Sequence, residues 1–367
     1  MGLTKTVRRP EWDFVKGLLI IFVVWGHICA YISGEYDKNT LTAVVRLYQM
    51  PMFILVSGFF QKECNSTDEL KKRILKIFNS LVIPYAVWIL IALIADCVSA
   101  FLNDGTKINS LRGAIVAVLD NANILWYLGC LIVFQVVYSV LSLLSKRCGK
   151  TVWILSLLAL LVCPIDLWYT CFLWPFFLLG RWLARTEFLE KKGEKIKILP
   201  MLAGCLVLTV LAQYYPTSLT FYNRKNFFLE GGVEGIFSQI LFILGRYALY
   251  GTVTVAFLFL FYSVHRRFFN KTIVRLICSI GQRTLGIFVI HIIALFYFFK
   301  PFISKITDGK GLFPEWPGIR FYIVATLLTV ITVAISIWCS CVIEKNRFCA
   351  RILLGKKNTK LDKRMSS

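Results

Sequence analysis

The chain has 367 residues, 57% of them hydrophobic and only 17% charged, with a mean hydropathy of +0.69. Soluble domains sit nearer half apolar and a quarter charged, so one membrane-embedded unit fits the length better than two soluble domains. The formal net charge of +22 does not point to a nucleic-acid binder: Lys and Arg fall in short clusters between apolar runs, a pattern that reads as membrane topology rather than one soluble basic face.

A bilayer span needs about 20 mostly apolar residues. That length predicts about ten transmembrane helices, near 14–34, 43–61, 77–99, 124–144, 151–168, 170–186, 198–215, 247–265, 276–299 and 320–342. The fold class is therefore all-α, a polytopic integral membrane protein. The first run is read as a retained span, because Gly26-His27-Ile28-Cys29 continues into Tyr31 with no small-x-small cleavage site. Residues 236–246 are apolar but short, and read either as an interfacial or re-entrant helix or as an extension of the eighth span.

Basic residues mark alternate connections. Arg8 and Arg9 precede the first span, Lys71, Lys72, Arg73 and Lys76 the third, and Lys146, Arg147 and Lys150 the fifth. The positive-inside rule then puts both termini in the cytoplasm. Residues 1–343 read as one transmembrane domain and 344–367 as a basic, solvated cytoplasmic tail near anionic lipid. Most of the twelve Cys, Cys171 among them, lie in apolar runs with no CxxC pair. They are read as small core residues, so neither a metal site nor a disulfide framework is expected.

Ionisable groups inside spans are costly and become functional candidates by default. The first span carries Asp13, Lys16 and, after ten intervening residues, His27. At 1.5 Å rise per residue Lys16 and His27 stand about 16 Å apart along the helix. A cation near the cytoplasmic end can hold a phosphate-bearing donor while a deeper imidazole meets the reacting atoms. His is suited to general-base work because its pKa lies near neutrality. The alternatives are that Lys16 snorkels and that His27 makes a helix–helix hydrogen bond. His291 is expected at a similar depth in the ninth span, lining the same pocket or bonding structurally. Arg283 is read as snorkelling or joining Lys16, and His265 as a solvated helix end. P-loop, GxGxxG and GxSxG signatures are absent.

Asp13-x-x-Lys16-Gly17 followed by His27 resembles the first-span pattern of the acyltransferase-3 family of polytopic membrane acyltransferases, particularly its fucose 4-O-acetylase-like branch. Met50-Pro51-Met52-Phe53 with Ser57-Gly58-Phe59 is similar to its second-span signature, and Trp126-Tyr127-Leu128 to its aromatic motif. Gly281-x-x-Thr284-Leu285-Gly286, ending at His291, resembles its late motif.

The resemblance implies an O-acyltransferase of the cell membrane, a bacterial inner membrane by expectation, taking acetyl from acetyl-CoA to a hydroxyl of a cell-surface or lipid-linked glycan, with no metal. It implies His27 as the catalytic base, and Lys16, Lys72, Arg73 and Lys76 as the holders of the CoA phosphates. The positive-inside rule predicts the last three charges equally well. Two departures stand out. Many members carry Arg where this chain has Lys16, and a point charge lacks the guanidinium's planar fork. Gln49 stands where the branch often has His, and an amide cannot take a hydroxyl's proton. The alternative function is a transporter or flippase of a lipid-linked glycan, against which stands the lack of a visible internal repeat.

Overall fold

The computed structural model describes residues 8–33, 40–102, 111–158, 168–189, 197–212, 232–313 and 318–356. Among these, helix dominates, and an isolated bridge joins Ser33 to Phe313. The helices are α1 (Pro10–Ile32), α2 (Thr40–Phe60), α3 (Thr67–Ile77), α4 (Ile83–Leu102), α5 (Leu111–Ile124), α6 (Trp126–Cys148), α7 (Thr151–Leu158) and α8 (Trp168–Thr186). They continue with α9 (Ile198–Ala212), α10 (Gly232–Phe268), α11 (Thr272–Gly281), α12 (Thr284–Ile293), α13 (Lys300–Ile306), α14 (Ile319–Lys345) and α15 (Arg347–Leu354). Two π-helical stretches, Phe78–Val82 and Ala294–Phe299, join α3 to α4 and α12 to α13.

Seven helical stretches among the described residues are long and apolar enough to cross a membrane: Pro10–Ile32, Leu41–Phe60, Thr67–Val98, Trp126–Cys148, Ile243–Phe268, Thr284–Ile306 and Ile319–Lys345. Each falls on an expected span, so the all-α polytopic membrane class holds. The other three expected spans fall on α7, α8 and α9, and their segments 159–167 and 213–215 lie outside the described residues. The ambiguous stretch 236–246 belongs to α10, which makes it an extension of the eighth span.

Exposure separates the lipid face from the protein face. On α14, Ile323, Leu327, Ile331, Ile335 and Trp338 are all exposed, three or four residues apart and hence on one side of the helix. Its other side buries Phe321, Ala325, Thr329, Val333, Ser336 and Ser340. Lipid is as apolar as leucine, so small and hydroxylated residues mark the contact between membrane helices.

α1 packs against α2, α10, α11, α12 and α14. Its crossing with α11 has no slack: a Cβ on Gly281 would lie 1.8 Å from the Asp13 carbonyl oxygen, and one on Gly17 2.1 Å from that of Ile277. Gly58 and Gly180 make the same kind of reciprocal contact between α2 and α8.

Three expectations change. The ninth span is not one helix over 276–299. The chain leaves helical geometry at Arg283 (φ −114°, ψ 18°), and Thr284 Oγ1 donates to the Gly281 carbonyl at 2.7 Å as α12 restarts. The break falls where α11 is pressed onto α1, which a hydropathy window cannot register. The tail is not free from residue 344. Asn346 Oδ1 accepts from the amides of Phe348 and Cys349, Gly355 ends α15 at φ +61°, and Ala350 and Leu354 are buried. Trp88 Nε1 donates to the Leu353 carbonyl at 2.8 Å, which docks α15 on α4. Finally, Cys171 is disulfide-bonded. It lies in the first turn of α8, at the end opposite Arg181 and Arg185.

Candidate active site

The floor of the site is an ion cluster at the start of α1. Asp13 is buried, so its charge needs partners. Lys16 Nζ lies 2.8 Å from Asp13 Oδ1 and Arg8 Nε 2.9 Å from Oδ2. Residues three apart share a helix face, so Asp13 anchors Lys16 from within the same turn.

Lys16 opens onto a cavity of about 180 Å³ between α1, α2, α6, α12 and the π-helical stretch after α3. Met50, Phe53 and Ser57 line it from α2, Tyr127 from α6, and Thr284, Leu285 and Phe288 from α12. Four motifs spread over more than 270 residues of sequence thus meet around one space. Ser57 Oγ donates to the Phe53 carbonyl at 2.9 Å. Tyr127 packs against Phe53 and Phe288, with ring centres 5.7 and 5.3 Å apart. A mostly apolar wall with a few convergent polar groups is the usual form of a small-molecule site.

The lining ends at Val23 and Phe288. His27 follows Val23 by one turn of α1, and His291 follows Phe288 by three residues of α12, their rings 5.9 Å apart. The two imidazoles face each other with centroids 5.6 Å apart and planes inclined by 46°. The expected common depth is therefore met, while the cavity stops about one turn short of His27. His27 also stacks on Tyr31 at 6.3 Å. His27 is partly exposed, whereas His291 is fully buried. His291 Nδ1 lies 2.7 Å from the Ile287 carbonyl oxygen.

Other sequence candidates lie outside the lining. Trp126 stands edge-on to Tyr127. Gln49 is buried, and its Oε1 has no hydrogen-bond partner among the described residues. Lys72 and Lys76 are exposed and Arg73 half-buried on α3, the helix that leads into the stretch supplying Leu81 to the cavity wall. Ser66 Oγ caps α3 by accepting from the Glu69 amide.

Arg283 Nε lies 3.8 Å from Glu344 Oε1, and Lys356 binds the same carboxylate at 2.7 Å. One reading of a polar side chain is corrected. His265 is buried rather than solvated, with its ring 5.6 Å from Phe14. Tyr31 and Phe288 went unnoticed as neighbours of the histidines, although their spacings, four residues after His27 and three before His291, were readable as shared helix faces.

Below the site, Glu63 in the α2–α3 connection pairs with Arg181, at 3.5 Å, and with Arg185. Burial by itself would raise its carboxyl. The Arg185 hydrogen bond and the charges of Arg185 and Arg181 outweigh burial and hold the group below the usual carboxylate range.

Residues 9–340 match the acyltransferase domain family Acyl_transf_3. The chain is 26% identical over 195 residues to nodulation protein NolL of Sinorhizobium fredii, a match covering 49% of this chain and 50% of that one. It thus spans about half the length of this curated relative. No solved structure shows a significant match.

Proposed function

The chain belongs to the acyltransferase-3 family, and on that premise we propose that it transfers an acyl group, acetyl by preference, from acyl-CoA to a hydroxyl of a cell-surface or lipid-linked glycan. The observation that carries this reading is the convergence of four distant motifs on one cavity, with an anchored cation at one end and two imidazoles one turn beyond the other.

In this reading Lys16 holds donor phosphate at the cytoplasmic mouth, with Lys72, Arg73 and Lys76 drawing the anionic donor toward it. The phosphopantetheine arm runs through the apolar cavity and brings the thioester toward His27, a distance of about 16 Å along α1. His27 removes the proton of the acceptor hydroxyl as its oxygen attacks the thioester carbonyl. The C–S bond then breaks, and the proton returns to the leaving CoA thiolate. Base assistance of this kind is worth about 10²–10⁴-fold, and holding both reactants along one passage adds positional advantage. Ser57 and Tyr127 line the same space, with the Ser57 hydroxyl donated to the Phe53 carbonyl. The location that goes with this role is the cell membrane of a bacterium, in keeping with the Sinorhizobium relative.

The test is to incubate the purified protein in lipid nanodiscs with radiolabelled acetyl-CoA and an extract of lipid-linked and surface glycans. The acyltransferase releases CoA and labels the glycan fraction. Movement of glycan without thioester consumption would instead identify a transporter.

A further inference from the structure

His291 is the most deeply placed polar ring of the site, and its hydrogen bonding is half complete. Its Nδ1 is 2.7 Å from the Ile287 carbonyl oxygen. A carbonyl only accepts, so in the neutral ring Nδ1 carries the proton and Nε2 the lone pair. That Nε2 is buried and has no hydrogen-bond partner among the described residues. A buried acceptor left without a donor is costly, above all at membrane depth, where no bulk water can serve. The ring across from it on α1 is His27, 5.6 Å away between centroids, a separation at which nitrogens turned toward each other come to about 3.3 Å, the edge of hydrogen-bond reach.

We propose that His291 is a positioning residue for the transfer reaction: its Nε2 accepts a hydrogen bond from a ring N–H of His27 and so holds the His27 tautomer whose other nitrogen is bare. The proposal rests on His27 being the general base. It completes a chain of three groups, in which the Ile287 carbonyl fixes His291, His291 fixes His27, and His27 meets the acceptor hydroxyl. A base oriented by a third group is the logic of hydrolase triads. The third group there is commonly a carboxylate, whose charge is expensive inside a bilayer. A neutral imidazole with its own proton pinned to a backbone carbonyl gives the same orientation without a buried anion. When His27 takes the hydroxyl proton, its N–H toward His291 becomes part of an imidazolium, and the bond to the Nε2 lone pair strengthens as a charge-assisted one. His291 keeps its own proton throughout, and His27 returns the substrate proton to the departing thiolate.

The chain contains only three histidines, so protein labelled with ¹⁵N-histidine in nanodiscs gives three ring spin systems assignable by single substitutions. Wild type should show one neutral tautomer for His27. His291→Met, similar in bulk but with no comparable acceptor, should show two. His291→Gln, whose Oε1 restores an acceptor, should return to one. Kinetics with acetyl-CoA and a panel of p-nitrophenyl hexosides form the second arm. His291→Met should lower kcat on the order of 10²-fold with the KM for acetyl-CoA unchanged, His291→Gln should recover most of it, and His291→Met should cost nothing further in a His27→Ala background.

A His27 that exchanges between tautomers in the wild type, a single His27 tautomer in all three proteins, or equal turnover by the Met and Gln variants would each overturn the proposal. If the Met variant does not fold, the wild-type spectrum decides alone. Wild-type turnover by His27→Ala sinks instead the general-base reading beneath it.

Discussion

Replacing Gly281 with Ala should damage donor binding from a distance, and the size of the effect follows from the crossing of α1 and α11. The new methyl would sit 1.8 Å from the Asp13 carbonyl oxygen and 2.8 Å from the Gly17 amide nitrogen. Ordinary contact begins near 3.4 Å, so the helices must part by about 1.6 Å, the difference between 3.4 and 1.8. Both obstacles are backbone atoms, which leaves no side chain to swing aside. Overpacking of this kind typically costs about 1–3 kcal/mol. The displaced turn also carries Asp13 and Lys16. A 1 Å misplacement can lower activity by about 10²-fold, equivalent to about 2.7 kcal/mol of transition-state stabilisation. The loss should fall mainly on the KM for acetyl-CoA, since His27 lies about three turns further along α1. Thermal unfolding in detergent and steady-state kinetics read the two effects separately. Gly251→Ala is the control, because a Cβ there meets nothing within 4 Å. An unchanged melting temperature and KM for Gly281→Ala, or equal damage from Gly251→Ala, would refute this reasoning.

Lys16→Met keeps the apolar stem but removes the charge, leaving Asp13 with Arg8. The KM for acetyl-CoA should rise about 10–100-fold, or about 1.4–2.7 kcal/mol, with little change in kcat; a fall in kcat alone would refute donor holding. Trp88→Phe deletes the hydrogen bond to Leu353, worth about 1 kcal/mol. Tryptic cleavage at Arg347 and Arg351 should then quicken about fivefold, and an unchanged rate would mean that α15 is held by its apolar contacts. The Glu63 carboxyl is held low in the folded protein, so its stabilisation is fully present above its unfolded pKa and lost as pH falls through the folded value. Melting temperature should therefore drop in acid more steeply for wild type than for Glu63→Gln. Parallel curves would remove Glu63 from the account.

Much of this was legible in the sequence because the bilayer's demands are coarse. A span of apolar residues has to be helical and of a given length, and seven such stretches lie where hydropathy put them. The spacing of Lys16 and His27 fixed their relative depth through helix rise alone, and His291 came to the same level from the opposite side of the site. What escaped depends on which helix touches which. The helix break at Arg283 falls just after Gly281, where α11 is pressed against Asp13, a contact that hydropathy does not register. Arg283 goes to Glu344 because the C-terminal end of α14 and α15 are folded back beside it, and a basic octapeptide after Asn346 carries no mark of docking except its buried Ala350 and Leu354. His265 looked like a helix terminus in solvent until Phe14 covered it. One-dimensional patterns report depth and length, while neighbours across helices stay hidden until the chain is folded.

The central claim is that the imidazole of His27 takes the proton of the attacking hydroxyl. The direct measurement is the acetyl-transfer rate of His27→Ala, made to wild-type abundance and with wild-type melting temperature. A fall of about 10²–10⁴-fold in kcat is predicted. Turnover within a few-fold of wild type would contradict the account.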